Sequence, residues 1–290
     1  MPLLTEQAPA KINLTLNILG RRADGYHELS SLVVFARDVA DRVILDTSRA
    51  HGLSVSGPFA SSIEGQNLVS KTIAAIKAVH PGAMLGAFEL VKNLPVASGV
   101  GGGSADAAAA LRLIQRANPE LAAVIDWSSV AARVGADVPV CLACQPAMMS
   151  GIGETLRPVA VLPRLTAVLV NPMADVPANK TAQVFAALGA APLAAIAKTV
   201  PVPVLAGREA VLDYMLGEPN SLTAAACQVV PDIATVLGAL EALPGCRIAR
   251  LSGAGPTCFG LFDHVDRADE AAHELRNRYP EWWVARSHLG

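Results

Sequence analysis

Polar and apolar residues alternate over the eight positions Lys11–Ile18, the period of a half-buried strand. Leu29–Ala36, Arg42–Thr47 and Leu53–Ser56 are three further predicted strands, separated by charged or glycine-containing turns. The period then changes. Leu68, Val69, Thr72, Ile73 and Ile76 fall on one helical face within Asn67–Val79, and Pro81-Gly82 lies beyond its end. Strand alternation returns at Ala87–Lys92. A glycine-rich stretch, Leu94 to Ser104, then runs into Ala105–Ile114, a strong helix former, with Ser104 predicted as its N-cap and Asp106 in its first turn. A helix over Trp127–Val134, an apolar run at Val138–Leu142 and a strand at Ala147–Gly153 follow.

The rhythm differs after about residue 156. Leu165–Val170 reads as a strand and Thr181–Leu188 as a helix. Leu205–Leu216 and Ile233–Leu243 read as longer helices, with a short one over Asn220–Cys227. Arg247–Leu251 and Cys258–Phe262 look like paired strands around Ser252-Gly-Ala-Gly-Pro256; Asp266–Arg278 is an amphipathic helix and Trp282–Ala285 a last strand. No fixed-period repeat interrupts this layout. It predicts an α+β chain in two lobes, residues 1–156 and 157–290.

Composition narrows the function classes. Of 290 residues 52% are hydrophobic and 17% charged, enough for a substantial core and incompatible with general disorder. A net charge of -2 and 4% aromatics disfavour nucleic acid or an anionic membrane as the main partner, while a local basic pocket for a small phosphorylated ligand stays allowed. The five cysteines are too few, and odd in number, for a disulfide framework. Cys141 and Cys144 form one C-x2-C with no second pair to answer it, and read as small side chains buried in an apolar run. The first residues lack a basic segment followed by an apolar one, and no uninterrupted apolar stretch matches a bilayer span. A soluble cytoplasmic protein, monomer or weak homodimer, is expected.

The sharpest local signal is the glycine loop. Glycines at 99, 101, 102 and 103 permit positive φ and close approach to a ligand, and the helix that follows aims free N–H groups and its positive end at that ligand. A glycine turn that merely caps a helix is the plainer reading, but four such residues in five positions carry a large entropic cost. The loop has no lysine and so is not a Walker loop; the dinucleotide spacing fails because Ser104 takes the third glycine position. Protein-kinase H-R-D and D-F-G, zinc-protease H-E-x-x-H and hydrolase G-x-S-x-G are all absent.

Five blocks in order carry a broader resemblance: Pro9-Ala-Lys-Ile-Asn-Leu14, Gly20-Arg-Arg-Ala-Asp-Gly-Tyr-His27, Leu94-Pro95 through Ser104, Gly135-Ala-Asp-Val-Pro139 and Leu251-Ser-Gly-Ala-Gly-Pro256. The chain resembles the GHMP kinase superfamily over nearly its whole length. It is most similar to the branch that phosphorylates the 2-hydroxyl of 4-diphosphocytidyl-2-C-methyl-D-erythritol in the non-mevalonate route to isoprenoids. The resemblance implies an N-terminal lobe with a left-handed β-α-β unit, a C-terminal lobe of antiparallel sheet with helices, and ATP and substrate meeting in the cleft between them. Periodicity alone would have favoured a right-handed crossover.

The resemblance also implies site residues. Lys11 and Asp137 would form the catalytic pair; taken alone they would read as a solvated strand lysine and a turn or cap residue. Asp137 would accept the hydroxyl proton, and Lys11 would hold Asp137 ionised, polarise the hydroxyl or neutralise transition-state charge. ATP would be bound by Pro95, Ala97, Ser98, Gly99, Val100, Gly101, Gly102, Gly103 and Ser104, with Asn67 near the adenosine and Mg2+ accompanying the nucleotide. Asn13, Tyr26, His27, Thr181 and Phe185 would form the substrate side, with Tyr26 and Phe185 sandwiching a pyrimidine, and Gly253 and Gly255 a glycine turn beside the phosphates.

Several positions depart from the related pattern. G-G-G-S-S is Gly101-Gly-Gly-Ser-Ala105, and N-D-L is Asn220-Ser-Leu222. V-S-T-A is Ala178-Asn-Lys-Thr-Ala182, which keeps Thr181 but adds Lys180, a cation near the diphosphate or facing water. A kinase of another small alcohol is the nearest alternative, though Asp24-Gly-Tyr-His27 suits a base-bearing substrate. A nucleotide-dependent sensor on the same fold would be marked by loss of Lys11 or Asp137, and both are present.

Overall fold

The computed structural model describes residues 3–63, 67–193 and 200–290. The backbone falls into two compact units that each draw on several stretches of chain: Met1–Ala10, Val39–Val96 and Gly101–Cys144 in the first, Lys11–Asp38, Ala97–Val100 and Gln145–Gly290 in the second. Two strands, β1 (Leu4–Asn13) and β3 (His27–Asp46), begin in one unit and end in the other.

In the first unit, β5 (Ala87–Val91) pairs antiparallel with the Arg42–Asp46 end of β3 and parallel with β4 (Gly52–Ser56). Helix α1 (Leu68–Val79) joins β4 to β5, making a parallel β-α-β unit. Helices α2 (Gly102–Ala117) and α3 (Trp127–Val134) pack with α1, and α4 (Val138–Ala143) packs with α2 and α3. Residues 105–111 of α2 are all buried, as expected of a helix apolar all round, and five of them are alanines, whose small side chains admit neighbours on every side.

In the second unit, β2 (Asn17–Arg21) and β6 (Ala147–Gly151) pair antiparallel with β3, and β7 (Thr155–Pro158) pairs with β6. A second run of strands has the order β11-β8-β10-β9: β11 (Trp283–Leu289), β8 (Leu165–Asn171), β10 (Cys258–Phe262) and β9 (Cys246–Leu251), all neighbours antiparallel. Every residue of β8 and β10 is buried, which explains their largely apolar sequences. Helices α5 (Lys180–Leu188), α6 (Arg208–Gly217), α7 (Thr223–Val229), α8 (Asp232–Glu241) and α9 (Val265–Arg278) complete the unit. Val168, Val170, Ile233, Val236, Leu240, Phe262, Ala272 and Leu275 belong to its core. Among the described residues no helix is long and apolar enough to cross a membrane.

The structure corrects several element boundaries. The strand expected over Lys11–Ile18 starts at Leu4 and breaks after Asn13, because Thr15 Oγ1 takes the Leu32 N–H (2.9 Å) where ladder pairing would continue. Leu29–Ala36 and Arg42–Thr47 are parts of one strand. The charged pair that suggested a turn is held by β11, with Arg37 Nε donating to Gly290 O (2.7 Å) and Asp38 Oδ2 accepting the His288 N–H (2.9 Å). Helix α2 begins at Gly102 with Gly101 as N-cap (φ 64°), so Ser104 lies inside the helix and Asp106 beyond its first turn. The run Val138–Leu142 is helical, and β7 had no strand signal.

Asn118 ends α2 and is almost fully buried. Its Oδ1 accepts the Met84 N–H (2.6 Å) and its Nδ2 donates to Met84 O (2.9 Å) and Ile114 O (2.8 Å). Asn118→Leu leaves the Met84 N–H and C=O without these partners and removes the side-chain bond to Ile114 O, which keeps the Asn118 N–H (3.0 Å); a loss of about 2–4 kcal/mol is expected at about 1 kcal/mol or more per bond. Urea denaturation should show the midpoint falling with an unchanged slope; an unaltered midpoint would refute the account.

Candidate active site

The glycine loop passes from the second unit into the first between Val100 and Gly101, and each side is built differently. On the second-unit side, residues 97–100 are bonded to the 252–257 turn and to β1. The Thr257 N–H donates to Ser98 O (3.0 Å), Ser252 Oγ donates to Gly99 O (3.1 Å) and the Lys11 N–H donates to Val100 O (2.8 Å). Gly99 has φ 81°, and a Cβ there would lie 2.7 Å from both Ser252 O and Gly255 O. Only glycine fits. The turn is itself fixed by Asn220, whose Nδ2 donates to Leu251 O (2.9 Å) and Gly253 O (2.8 Å), and by Asn171, which donates to Thr257 Oγ1 (2.9 Å).

Asn13 is buried beside this turn. Its N–H donates to Ser252 Oγ (3.3 Å) and its Nδ2 to Ser31 Oγ (2.7 Å), while its Oδ1 has no partner among the described residues. A buried acceptor left unsatisfied is costly and marks a place where a ligand donor fits. Lys11 is also buried. Lys180 is buried too, although the start of an exposed helix offered water as the alternative.

His27 and Phe185 meet with ring centroids 4.7 Å apart and tilted by 33°. Burial, and then the nearby Arg21 charge, hold the His27 imidazole below its usual range, so the ring is neutral at pH 7. Tyr26 stands 60% exposed, with its N–H held by Asp24 Oδ1 (3.1 Å). The aromatic contact present is therefore His27 on Phe185, with Tyr26 in solvent. Thr181 is exposed at the start of α5. Gly253 and Gly255 lie in the turn that faces Gly99.

On the first-unit side, Gly101 caps α2 in the left-handed region and the first intrahelical bond runs from the Ala105 N–H to Gly101 O (2.8 Å). The N–H groups of Gly102, Gly103 and Ser104 precede it and have no intrahelical acceptor. With the helix's positive end they form a cradle for an anion such as a nucleotide phosphate. Pro95 is buried at the approach to the loop, and Ala105 is buried, so the missing hydroxyl of the related pattern is replaced by core packing. Asn67 is the N-cap of α1, its Oδ1 accepting the Val69 N–H (2.8 Å). Asp137 precedes α4 without capping it, and is half-buried.

Sequence reasoning missed a charged cluster beneath this cradle. Lys92 Nζ donates to Asp41 Oδ2 and to Asp106 Oδ2 (2.9 Å), and all three side chains are buried. Asp41 also accepts the N–H groups of Asn93 (2.5 Å) and Leu94 (2.8 Å). Burial alone would lower the Lys92 ammonium, but the Asp106 and Asp41 carboxylates outweigh it and raise it. Burial, with Asp41 opposing the favourable Lys92 charge, pushes the Asp106 carboxyl up to about 8. One ammonium thus lies between two buried acidic side chains. A Cβ at Gly102 would lie 3.3 Å from Lys92 Nζ, so the cluster packs directly under the start of α2. The available signal was Asp41 at an inward strand position between Val39 and Val43.

Comparison with known proteins places this geometry. Residues 67–145 match the model of the GHMP kinases N terminal domain and residues 209–281 that of the GHMP kinases C terminal domain. The chain is 46% identical over 287 residues to a 4-diphosphocytidyl-2-C-methyl-D-erythritol kinase of Dinoroseobacter shibae, covering 96% of this chain and 92% of that one. It is 47% identical over 297 residues to the Methylobacterium radiotolerans protein of the same name, covering 100% of each. A solved 4-(cytidine 5'-diphospho)-2C-methyl-D-erythritol kinase is similar at 33% identity with a TM-score of 0.76, covering 99% of both chains.

Gly99→Ala is expected to force the 97–100 segment off the 252–257 turn. Left-handed strain of about 1–2 kcal/mol adds to the clash with two carbonyl oxygens. Thermal unfolding should show a midpoint lower by roughly 5–10 °C, and faster amide exchange at Thr257. A midpoint within a degree of wild type would refute the close packing.

Proposed function

The chain belongs to the GHMP kinase superfamily and is closely related to 4-diphosphocytidyl-2-C-methyl-D-erythritol kinases, and from that premise we propose that it transfers the γ-phosphoryl group of ATP to the 2-hydroxyl of 4-diphosphocytidyl-2-C-methyl-D-erythritol. The reaction gives the 2-phosphate and ADP in the non-mevalonate route to isoprenoid precursors. The observation that carries this reading is end-to-end identity of 46–47% with relatives of that name.

The chemistry follows from residues already placed. The free N–H groups at the start of α2 receive ATP phosphates, with Asn67 toward the adenosine. Mg2+ travels with those phosphates and supplies charge neutralisation when bound; the Ser104 hydroxyl is the loop side chain suited to reach it. The substrate hydroxyl oxygen attacks the γ-phosphorus as the bond to the bridging oxygen of ADP breaks, and its proton passes to the Asp137 carboxylate. The Lys11 ammonium stabilises charge building on the transferred group. The unsatisfied Oδ1 of Asn13 accepts from the substrate. His27, neutral against Phe185, offers one donor and one acceptor nitrogen to the cytosine edge or the diphosphate. Tyr26, exposed beside His27, folds over the base.

ATP consumption should be compared with 4-diphosphocytidyl-2-C-methyl-D-erythritol, homoserine and mevalonate as acceptors. Turnover concentrated on the first is expected; equal rates on all three, or none on the first, would sink the assignment. Asp137→Ala and Lys11→Ala should each cost about 100-fold or more in kcat with folding retained. Near-normal turnover in Asp137→Ala would remove it as the base.

Tyr26→Ala tests the base-binding role separately. Loss of one stacking partner costs about 1–3 kcal/mol, so kcat/KM for the full substrate should fall roughly 5- to 150-fold while ATP binding is unchanged. A fragment lacking cytidine should be barely affected. Equal losses on substrate and fragment would mean that Tyr26 only supports the pocket.

A further inference from the structure

Lys180 opens α5 at a position where the related pattern carries serine, and it is only 4% exposed. Its Nζ donates to Ala97 O (2.9 Å) and to Gly255 O. It thereby bonds both sides of the junction between the loop segment 97–100 and the 252–257 turn. Ala97 itself is held in the left-handed region (φ 53°), which aims its carbonyl at this ammonium.

An ammonium has three N–H donors. Two of those on Lys180 end on neutral carbonyls, and no Asp or Glu pairs with it among the described residues. The contrast with Lys92 is direct. Lys92 is equally buried but is held between two carboxylates and keeps a raised pKa. Burial of Lys180, opposed by no charge among the described residues, lowers its pKa to about 8. A buried cation without a counter-charge is destabilising in the empty protein and becomes favourable when an anion arrives. The backbone it braces is one arm of the loop whose other arm is built to receive phosphate.

We propose that Lys180 is a ligand-binding residue whose third N–H donates to a phosphoryl oxygen of a diphosphate group seated against residues 97–100 and the 252–257 turn. This rests on the kinase reading, in which two ligands carry such a group: the nucleotide donor and the cytidylyl acceptor.

Isothermal titration of ADP and AMP, and of CDP and CMP, into wild type, Lys180→Met and Lys180→Arg tests it. A hydrogen bond to a charged group contributes about 1.5–3 kcal/mol, so Lys180→Met should weaken one diphosphate ligand roughly 10- to 150-fold. The matching monophosphate should change less than about 2-fold, and Lys180→Arg should restore most of the loss. A loss confined to ADP assigns the contact to the donor, and one confined to CDP to the acceptor. Equal losses for mono- and diphosphate would make Lys180 a purely structural brace and overturn the proposal, as would no loss for either or wild type that binds neither diphosphate. Lys180→Ser, carrying the residue of the related pattern, repeats the comparison if Lys180→Met does not fold. The acceptor assay on wild type is independent of these titrations, so failure of the kinase reading and failure of the Lys180 assignment are separable.

Discussion

The candidate site depends on a loop whose backbone carbonyls are all claimed by donors. Residues 97–100 have no regular secondary structure of their own, and their carbonyls are claimed one after another: Ala97 by Lys180, Ser98 by the Thr257 N–H, Gly99 by the Ser252 hydroxyl, Val100 by the Lys11 N–H. With every carbonyl in that run committed, the orientation of the intervening peptide planes is fixed before any ligand binds. Fixed dipoles are what phosphoryl transfer requires, because a site that must reorganise as charge moves loses the benefit of its donors. Glycine at position 99 is the steric condition for that arrangement.

Buried charge is handled in two opposite ways. In the cluster of Lys92, Asp41 and Asp106 the buried ammonium is paired within the fold, lying between two acidic side chains. That makes the cluster a rigid footing for the start of α2, where a shift of the helix would move the phosphate cradle with it. Lys180 is open, a cation given dipoles but no carboxylate among the described residues. Such asymmetry separates framework from function more sharply than burial alone, since both lysines are equally hidden.

What the sequence disclosed followed the range of the interactions involved. Elements set by local period, such as α1, α3 and the β9–β10 pair, were legible almost to the residue. The glycine loop was legible because its demand on φ is local. Errors arose where a distant partner changed a local preference. Arg37 and Asp38 looked like a turn because the acceptors and donors that keep them in a strand lie some 250 residues away in β11. Ser104 lost the capping position to Gly101, whose left-handed backbone no propensity scale distinguishes from an ordinary loop glycine. Lys180 stayed open between the diphosphate and water because nothing near it in sequence reveals the carbonyls of Ala97 and Gly255. The pyrimidine sandwich between Tyr26 and Phe185 came with the resemblance, while the ring that meets Phe185 in the structure is the adjacent His27.

The way β3 and β11 are supplied has a consequence for how the chain matures during synthesis. All segments of the first unit have been made once Cys144 is made, so it can close early. The second unit contains Lys11–Asp38 but waits for residues 145–290, and the strand that joins Ala36 of β3 to β8 is β11, residues 283–289. An early-made stretch that includes Lys11, Asn13 and His27 therefore spends most of translation without the neighbours that residues 145–290 supply. Contacts of such long sequence separation form slowly, which leaves this stretch exposed to aggregation and to chaperones while the rest is completed. A premature stop that removes only β11 would thus cost far more than seven residues of strand: it would leave the earliest part of the second unit without the piece that β3 and β8 share.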